Sequence, residues 1–452
     1  VRPQAINIVG AGLAGSLLAL SLARRGFRVT VWERRDDPRT AVTQTGRSIN
    51  LALAERGLSA LTRCGVIDEV RPLLTAMRGR LVHEPGQPLT LLPYGIRTTE
   101  VIWSVSRSAL NRVLIDAATR AGALLRFGHA CVGIDLDANT LSFKDAATGR
   151  SHATDLIPTV AADGAGSFVR GALARAGVTD VEIERLDHDY KELCIPPRQG
   201  RFALESHGLH LWPRGGFMLI ALPNIDRSFT ATLFLARDGN PSFAQLTSVE
   251  TIESFFAAHF PEVGPLIPDR ADQFMKNPQG TLSTVHASKW YVADKIVLLG
   301  DAAHAIVPFH GQGMNAAFED CALFDELLDT HQDWQSHFRE FERVRRPNAN
   351  AIARMAIENY QEMRHAVLDP RFRRMKEVSL LLERLFPNRF ISRYSMVSFH
   401  AEIPYEEALA RGEIQQDILE ELDAHRLSTG EIDASLAARL VATRLPALRQ
   451  DT

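Results

Sequence analysis

The sequence predicts an α/β chain in three parts: a parallel-sheet unit of βαβ construction, an antiparallel sheet inserted into it, and a C-terminal helical region. Three observations carry this. Residues 5–33 read strand, glycine-rich turn, helix, turn, strand; residues 207–235 hold three β-rich runs parted by turn-forming residues; and from Trp334 onward the spacing of apolar residues is mostly helical. A chain of 452 residues, 45% hydrophobic and 23% charged, is long enough for two to four well-cored domains and too apolar for intrinsic disorder.

The opening strand is AINIV, followed by Gly10-Ala11-Gly12-Leu13-Ala14-Gly15, an apolar helix to Arg25 with Gly26 as its stop, and the strand RVTVW. Arg24 and Arg25 stand where a helix end favours positive charge. Ala5 to Ala23 carries no charge over 19 residues, the length of a membrane span or signal sequence. Gly10, Gly12 and Gly15, with Asn7, Ser16 and Ser21, make it a poor lipid-facing helix, so it reads as a βα unit. Arg107 to Ala121 has helical spacing, with Gly122 as stop and the strand pattern LLRFG after it.

The character changes near residue 180. HGLHLW, FMLIALP and SFTATLFL form an expected antiparallel meander with turns at Arg214-Gly215-Gly216 and Asn224 to Arg227. In the last run Phe229, Ala231, Leu233 and Leu235 alternate with Ser228, Thr230 and Thr232, giving one buried and one more polar face. The run before it is apolar on both faces, as in a strand sandwiched in a core or one lining a ligand cavity. Val292 to Gly300 reads as one buried parallel strand, and a helix begins at Met314. Pro347, Pro370 and Pro387 punctuate the helical region. The expected boundaries are 1–75, 98–178 and 285–345 for the parallel-sheet unit, 76–97 and 179–284 for the inserted sheet domain, and 346–452 for the helical region.

Charge and cysteine usage exclude several function classes. With 51 Lys and Arg against 54 Asp and Glu, the formal net charge is -3, which offers no basic field for nucleic acid. Cys64, Cys131, Cys194 and Cys321 form no CxxC, which argues against a zinc knuckle, a disulfide framework and a redox dithiol; no metal is expected, and a reducing cytoplasm fits.

Gly10, Gly12 and Gly15 at GxGxxG spacing let the backbone approach a pyrophosphate while the helix N-terminus, at Leu13 and Ala14, supplies N–H donors and positive dipole. Glu33, at the end of the second strand, is placed to accept hydrogen bonds from a ribose diol and to repel a 2′-phosphate. Together they indicate an adenine dinucleotide, FAD or NAD. Alone, the one would be an ordinary glycine-rich turn and the other a solvated strand-end charge. Downstream, Asp301 ends a strand at Gly300-Asp301 and is suited to ribityl hydroxyls. Downstream of it, Pro308, Phe309 and His310 would line the active site, and Gly311-Gln312-Gly313-Met314-Asn315 would aim a helix N-terminus at the flavin N1/C2=O, where negative charge builds on reduction. Between them, Ala162-Asp163-Gly164 with Arg170 occupies a strand-to-helix turn. Each element alone is also a capped helix start.

All three, in this order and spacing, resemble the group A flavoprotein monooxygenases, with the para-hydroxybenzoate hydroxylase-like fold. Further strings narrow the resemblance: RSINLALAERG at Arg47 to Gly57, MRGR at Met77 to Arg80, PYG at Pro93 to Gly95, YKEL at Tyr190 to Leu193, PFHGQGMN, ENY at Glu358 to Tyr360 and RYSM at Arg393 to Met396. From about residue 5 to about residue 415 the chain is similar to the kynurenine 3-monooxygenase family, in its soluble bacterial form, without the C-terminal membrane anchor of eukaryotic members.

The resemblance implies a Rossmann-type FAD-binding domain with an inserted antiparallel-sheet substrate domain, and non-covalent FAD held by Gly10, Gly12, Leu13, Ala14, Gly15, Glu33, Arg107, Asp163, Asp301, Gly313, Met314 and Asn315. It implies NADPH and O2 as co-substrates, no second GxGxxG being present for NADPH, and hydroxylation of L-kynurenine ortho to its amino group through a C4a-hydroperoxyflavin. Arg80, Tyr94, Asn359 and Tyr394 fall at the positions that hold the substrate carboxylate. A guanidinium binds a carboxylate through two parallel bonds, and tyrosine hydroxyls are short, rigid donors; without the family, Arg80 reads as a surface ion pair. No protein side chain is assigned a catalytic role, His304 and His310 included, because the ring's own amino group activates it. The alternatives are hydroxylation of another carboxylate-bearing aromatic, anthranilate- or salicylate-like, and a non-catalytic FAD-binding redox protein.

Overall fold

A parallel six-stranded sheet forms around the first strand for the reason its sequence gives: Ile6 and Ile8 alternate into one buried face and no residue of Ala5–Val9 is fully exposed. The computed structural model describes residues 5–40, 50–364, 369–425 and 432–448, so Arg47 to Ile49 of the RSINLALAERG string lie outside the described residues. The chain divides into two compact units, one from Val1–Leu74, Val105–Leu186 and Thr281–Ala356, the other from Thr75–Ser104, Asp187–Gly280 and Ile357–Thr452.

In the first unit the sheet order is Tyr291–Val292, Ile296–Leu298, Thr159–Ala161, Ala5–Val9, Arg28–Trp32, Leu124–Arg126, parallel throughout except for the first pair. The helix Leu13–Arg24 is buried along most of its length and packs on the helices Arg107–Arg120 and Gly313–Leu327. The uncharged run Ala5 to Ala23 is thus a strand, a turn and a helix, and no helix among the described residues is long and apolar enough to cross a membrane. A small antiparallel sheet of His129–Asp135, Thr140–Asp145 and Ser151–Asp155 completes this unit, with Trp32 stacked on Phe143 at 4.1 Å between ring centroids.

Two expectations need correction here. The run Val292 to Gly300 is not one strand: Tyr291–Val292 is antiparallel to Ile296–Leu298, the chain reversing through Ala293 at φ +47°, and only the second segment continues the parallel sheet. Pro347 does not punctuate; it lies inside the helix Trp334–Arg364. A proline in a helix interior removes one backbone hydrogen bond. Here the turn is held by side chains on either side of it, Arg345 to Asp320, Glu319 and the Ala316 carbonyl, and Asn348 Nδ2 to the Val344 carbonyl. Pro370 does start the helix Pro370–Leu385, and Pro387 follows its end.

The second unit is organised on the expected meander. Leu209–Pro213, Met218–Pro223 and Phe229–Ala236 pair antiparallel in sequence order, Gly79–Val82 adds parallel to the first, and Thr90–Pro93 pairs antiparallel beyond it. Phe229, Ala231, Leu233 and Leu235 all enter one core with Trp212, Phe255, Phe256 and Phe260, while Thr230 and Thr232 stay partly exposed. Met218–Pro223 is buried on both faces. The C-terminal helices have their own core, in which Leu382, Phe390, Ile418, Leu422 and Leu440 meet.

Candidate active site

In the first unit the glycine-rich turn is shaped by two close approaches and one opening. A Cβ on Gly10, which has φ +105°, would lie 2.4 Å from the Ala162 carbonyl, and one on Gly15 would lie 1.9 Å from the Gly10 carbonyl, so neither position admits a side chain. A Cβ on Gly12 meets no protein atom within 4 Å. The first turn of the following helix, where Leu13 and Ala14 have N–H groups without helical acceptors, therefore opens onto space of the kind a pyrophosphate requires.

Glu33 is buried and turned inward. Its carboxylate accepts from the Ala11 N–H at 2.7 Å and from Arg35 through the backbone N–H at 2.9 Å and Nε at 2.8 Å. Burial opposes its charge, but the hydrogen bonds and charge of Arg35 hold the carboxyl below the usual carboxylate range. The expected ribose acceptor is thus also a brace of the glycine turn, and it is no solvated strand-end charge. Asp163 caps a helix: it accepts from Ser167 Oγ at 2.5 Å and from the Val169 N–H at 3.2 Å, and burial raises its pKa. Arg170 Nη1 donates to the Ala302 carbonyl at 2.9 Å, so the two motifs Ala162 to Gly164 and Gly300 to His304 are tied together.

Asp301 begins the short helix Asp301–His304, and its carboxylate makes no hydrogen bond to another described residue. Asn315 is the reverse case. Its side-chain oxygen accepts from the Ala54 N–H at 2.9 Å, and Nδ2 donates to the Ala52 and Gly311 carbonyls, each at 2.8 Å. The Asn315 side-chain amide is thus engaged in holding the start of the Gly313–Leu327 helix, whose first helical bond is from the Ala316 N–H to the Gln312 carbonyl, so a cofactor contact from Gly313, Met314 or Asn315 falls to the backbone N–H groups of that first turn. Pro308–His310 is a single 3-10 turn with Phe309 and His310 buried, closed by Gly311 in the left-handed region. Arg107 is the exposed first residue of its helix.

In the second unit the four residues expected around a carboxylate come together. Arg80 lies on the strand Gly79–Val82, opposite Leu92 of Thr90–Pro93; a Cβ on Gly79 would lie 2.4 Å from the Leu92 carbonyl, so that glycine keeps the pair close and brings Tyr94 round beside Arg80. Arg80 is not a surface residue: it is 5% exposed. Its Nη1 donates to Glu362 Oε1 at 2.7 Å and its Nη2 to Asn359 Oδ1 at 3.1 Å. Asn359 and Glu362, three apart near the end of their helix, share one face. Tyr394, on Arg393–Phe399, stacks on Tyr94 with ring centroids 5.4 Å apart, and the Arg80 guanidinium and the Lys376 ammonium each lie 5.3 Å from the Tyr394 ring.

A small cavity of about 10 Å³, room for one water molecule, is lined by Arg80, Tyr94, Tyr394, Leu92, Pro93, Glu362, Phe372 and Lys376. Burial disfavours the Glu362 carboxylate, yet the Arg80 and Lys376 charges hold it below its ordinary range. Burial lowers the pKa of Lys376 and raises those of Tyr94 and Tyr394, so both tyrosines keep their protons and remain donors. Glu362, Phe372 and Lys376 were not among the expected residues. Phe372 and Lys376 are four apart on Pro370–Leu385, and Glu362 is three past Asn359; helical spacing from ENY is the one signal that pointed to Glu362.

Residues 3–355 match the FAD binding domain family. The chain is 46% identical over 447 residues to the kynurenine 3-monooxygenase of Stenotrophomonas maltophilia (strain K279a), covering 98% of each chain, and 46% identical to that of Xanthomonas euvesicatoria pv. vesicatoria, covering 97% of this chain and 98% of the other. Among solved structures, 2-methyl-3-hydroxypyridine-5-carboxylic acid oxygenase superposes with a TM-score of 0.66 at 18% identity over 80% of this chain and 93% of that one. P. aeruginosa PqsL, solved with 2-aminobenzoylacetate, gives 0.64 at 20% identity over 79% and 96%. At these identities the structural likeness establishes the fold.

Proposed function

Given that the chain belongs to the kynurenine 3-monooxygenase family of FAD-dependent hydroxylases, we propose that it uses NADPH and O2 to hydroxylate L-kynurenine at C3 of its ring, with Arg80 and Tyr94 holding the substrate carboxylate. The observation that carries the second part is the buried guanidinium of Arg80, oriented by Glu362 and Asn359 at the wall of a cavity with two stacked tyrosines. Two cations and one carboxylate leave that cavity with a net positive charge, which a substrate carboxylate neutralises. Arg80 binds it as a two-donor fork, Tyr94 adds a hydroxyl donor, and Glu362 is the acceptor for the α-ammonium. Leu92, Pro93 and Phe372 exclude water from the aliphatic part of the substrate.

The cofactor is FAD, and Gly10, Gly12, Leu13, Ala14 and Gly15 suit its pyrophosphate, Glu33 and Arg107 its adenosine half, Asp163 and Asp301 the turns near the ribityl chain, and the backbone of Gly313, Met314 and Asn315 its pyrimidine edge. Pro308, Phe309 and His310 would shape the ring side of the same pocket. Bound FAD supplies the redox chemistry, electrons from NADPH and one oxygen atom from O2. The substrate's aniline nitrogen enriches C3, so no side-chain base is required of the protein. The proposed location is the cytoplasm, in keeping with four cysteines that form no disulfide.

NADPH oxidation by the FAD-loaded protein, followed with and without L-kynurenine while product is identified by mass and peroxide is measured, tests the reading. Stimulated oxidation matched by 3-hydroxykynurenine is expected. Stimulation by kynurenine that ends in peroxide alone, with a hydroxylated product from anthranilate instead, overturns the substrate assignment.

A further inference from the structure

The turn Gly300 to His304 is held by a carboxylate that no flavin contact accounts for. Asp320, two helical turns into Gly313–Leu327, is fully buried. Its Oδ2 accepts from the Gly300 N–H at 3.0 Å and lies 2.7 Å from His304 Nε2, so one oxygen grips both ends of the turn; Oδ1 accepts from Arg345 Nε at 2.6 Å. Arg345 continues to Glu319 at 2.8 Å, and Glu319 to the buried Arg56 at 2.7 Å. Trp290 stacks on His304 with centroids 5.1 Å apart, fixing the imidazole plane.

A carboxylate taken wholly out of water costs several kcal/mol that its partners only offset, so such a group is weak evidence of stability and better evidence of a fixed position. What Asp320 fixes is specific. It joins two separate stretches on the FAD side of this unit: the turn that carries Asp301, and the helix whose N-terminus is at Gly313 and Met314. Arg170 pins the same turn from the other motif, through the Ala302 carbonyl.

We propose that Asp320 is a positioning residue for FAD: with His304 and Arg345 it locks the Asp301 turn to the Gly313–Leu327 helix, and thereby sets both FAD affinity and the reduction potential of the bound flavin. The inference rests on the reading of Asp301 as a flavin ligand. Loss of the lock lets the helix N-terminus drift from the atoms on which negative charge builds, so the reduced form loses more than the oxidised form and the potential falls. The charge on Asp320 is present throughout the working pH range, since His304 and Arg345 overcome burial and hold its carboxyl down to about 2.

The test titrates FAD into apoprotein by flavin fluorescence and measures the flavin midpoint potential by spectroelectrochemistry, with circular dichroism of each apoprotein as the folding control. Asp320→Asn is expected to weaken FAD binding by roughly tenfold or more, the worth of a charge-assisted hydrogen bond, and to make the potential more negative. His304→Gln, which leaves Asp320 bonded to Gly300 and Arg345, is expected to move both quantities the same way by less. Glu319→Gln, which shares Arg345 but does not touch the turn, is expected to leave both unchanged. Wild-type affinity and potential in Asp320→Asn overturn the proposal, as they do in His304→Gln if Asp320→Asn fails to fold. An equal loss in Glu319→Gln also overturns it, because the effect would then be general packing. Asp301→Ala separates the underlying reading: unchanged FAD affinity there overturns that reading and the proposal with it, whereas a loss there with none in Asp320→Asn removes the positioning role alone.

Discussion

Replacing Arg80 by Met has two consequences that the structure allows to be separated. Arg80 is paired with Glu362 at 2.7 Å, the two side chains being 6% and 22% exposed. Removing one partner of a fully buried pair costs about 3–5 kcal/mol; with Glu362 partly exposed and Lys376 in the same cavity, the expected cost is about 1–3 kcal/mol of stability. The substrate carboxylate independently loses its charge-assisted bonds, on the order of 1.5–3 kcal/mol, which is roughly a tenfold to hundredfold rise in Kd. In the double variant Arg80→Met/Glu362→Gln no unpaired carboxylate is left, so stability measured by urea unfolding should return most of the way to wild type while affinity for L-kynurenine stays low. Calorimetric titration of the FAD-loaded protein with L-kynurenine, and with the decarboxylated amine kynuramine as control, reads the second effect; kynuramine binding should change little in Arg80→Met, and any loss it shows in the double variant reports the Glu362 contact to the amine. Recovery of kynurenine affinity in the double variant would refute the reasoning, since Arg80 would then act through the fold and not on the carboxylate. Arg80→Lys should fall between, keeping charge and losing the fork.

Gly12→Val should give an apoprotein as stable as wild type that no longer retains FAD, because its Cβ meets no protein atom within 4 Å; Gly15→Ala, pressed to 1.9 Å from the Gly10 carbonyl, should lower the melting temperature of the apoprotein itself. Equal melting temperatures for the two would contradict this. Glu33→Gln should weaken FAD binding several-fold through the Ala11 brace and leave kynurenine affinity in FAD-saturated protein unchanged; an altered product with FAD fully loaded would show the residue misplaced. Burial, then His210 and Arg214, push His83 down to about 4 from an ordinary 6.5. The unfolded chain therefore takes up a proton in that interval that the folded one refuses, so its contribution is full above pH 6.5 and is lost as pH falls through 4. His83→Phe, which keeps the stack on Trp212, should flatten the pH dependence of the urea midpoint over that window, and an unchanged slope would exclude His83 as its source.

The elements legible in the sequence were those whose signal is local. The opening βαβ unit was readable because glycine spacing, apolar alternation and the Gly26 stop lie within one short stretch. The hairpin inside Val292 to Gly300 was not, since Ala293 adopts a left-handed conformation that nothing in its residue type announces. Pro347 misled because the bonds that carry the helix past it come from Asp320 and Glu319, distant in sequence. At the candidate site, Arg80, Tyr94, Asn359 and Tyr394 stood in recognisable strings. Glu362, Lys376 and Asp320 did not, each being one charge in a charged run, such as Arg373-Arg374-Met375-Lys376, whose burial is decided only by tertiary packing.

The three-segment construction of the first unit constrains how the protein is made. The strand Ala5–Val9 leaves the ribosome first, but its neighbour Thr159–Ala161 follows about 150 residues later and Ile296–Leu298 later still. Until the last of them arrives, an apolar strand edge lies open, which is the situation in which nascent chains pair wrongly or need a chaperone. Asp301 and Gly313 lie in that same final segment, so on the proposed assignment of these residues to FAD, cofactor capture waits until that segment has been made. Fragments that stop before Thr281 should accumulate as insoluble, colourless protein even though they contain the whole glycine-rich turn.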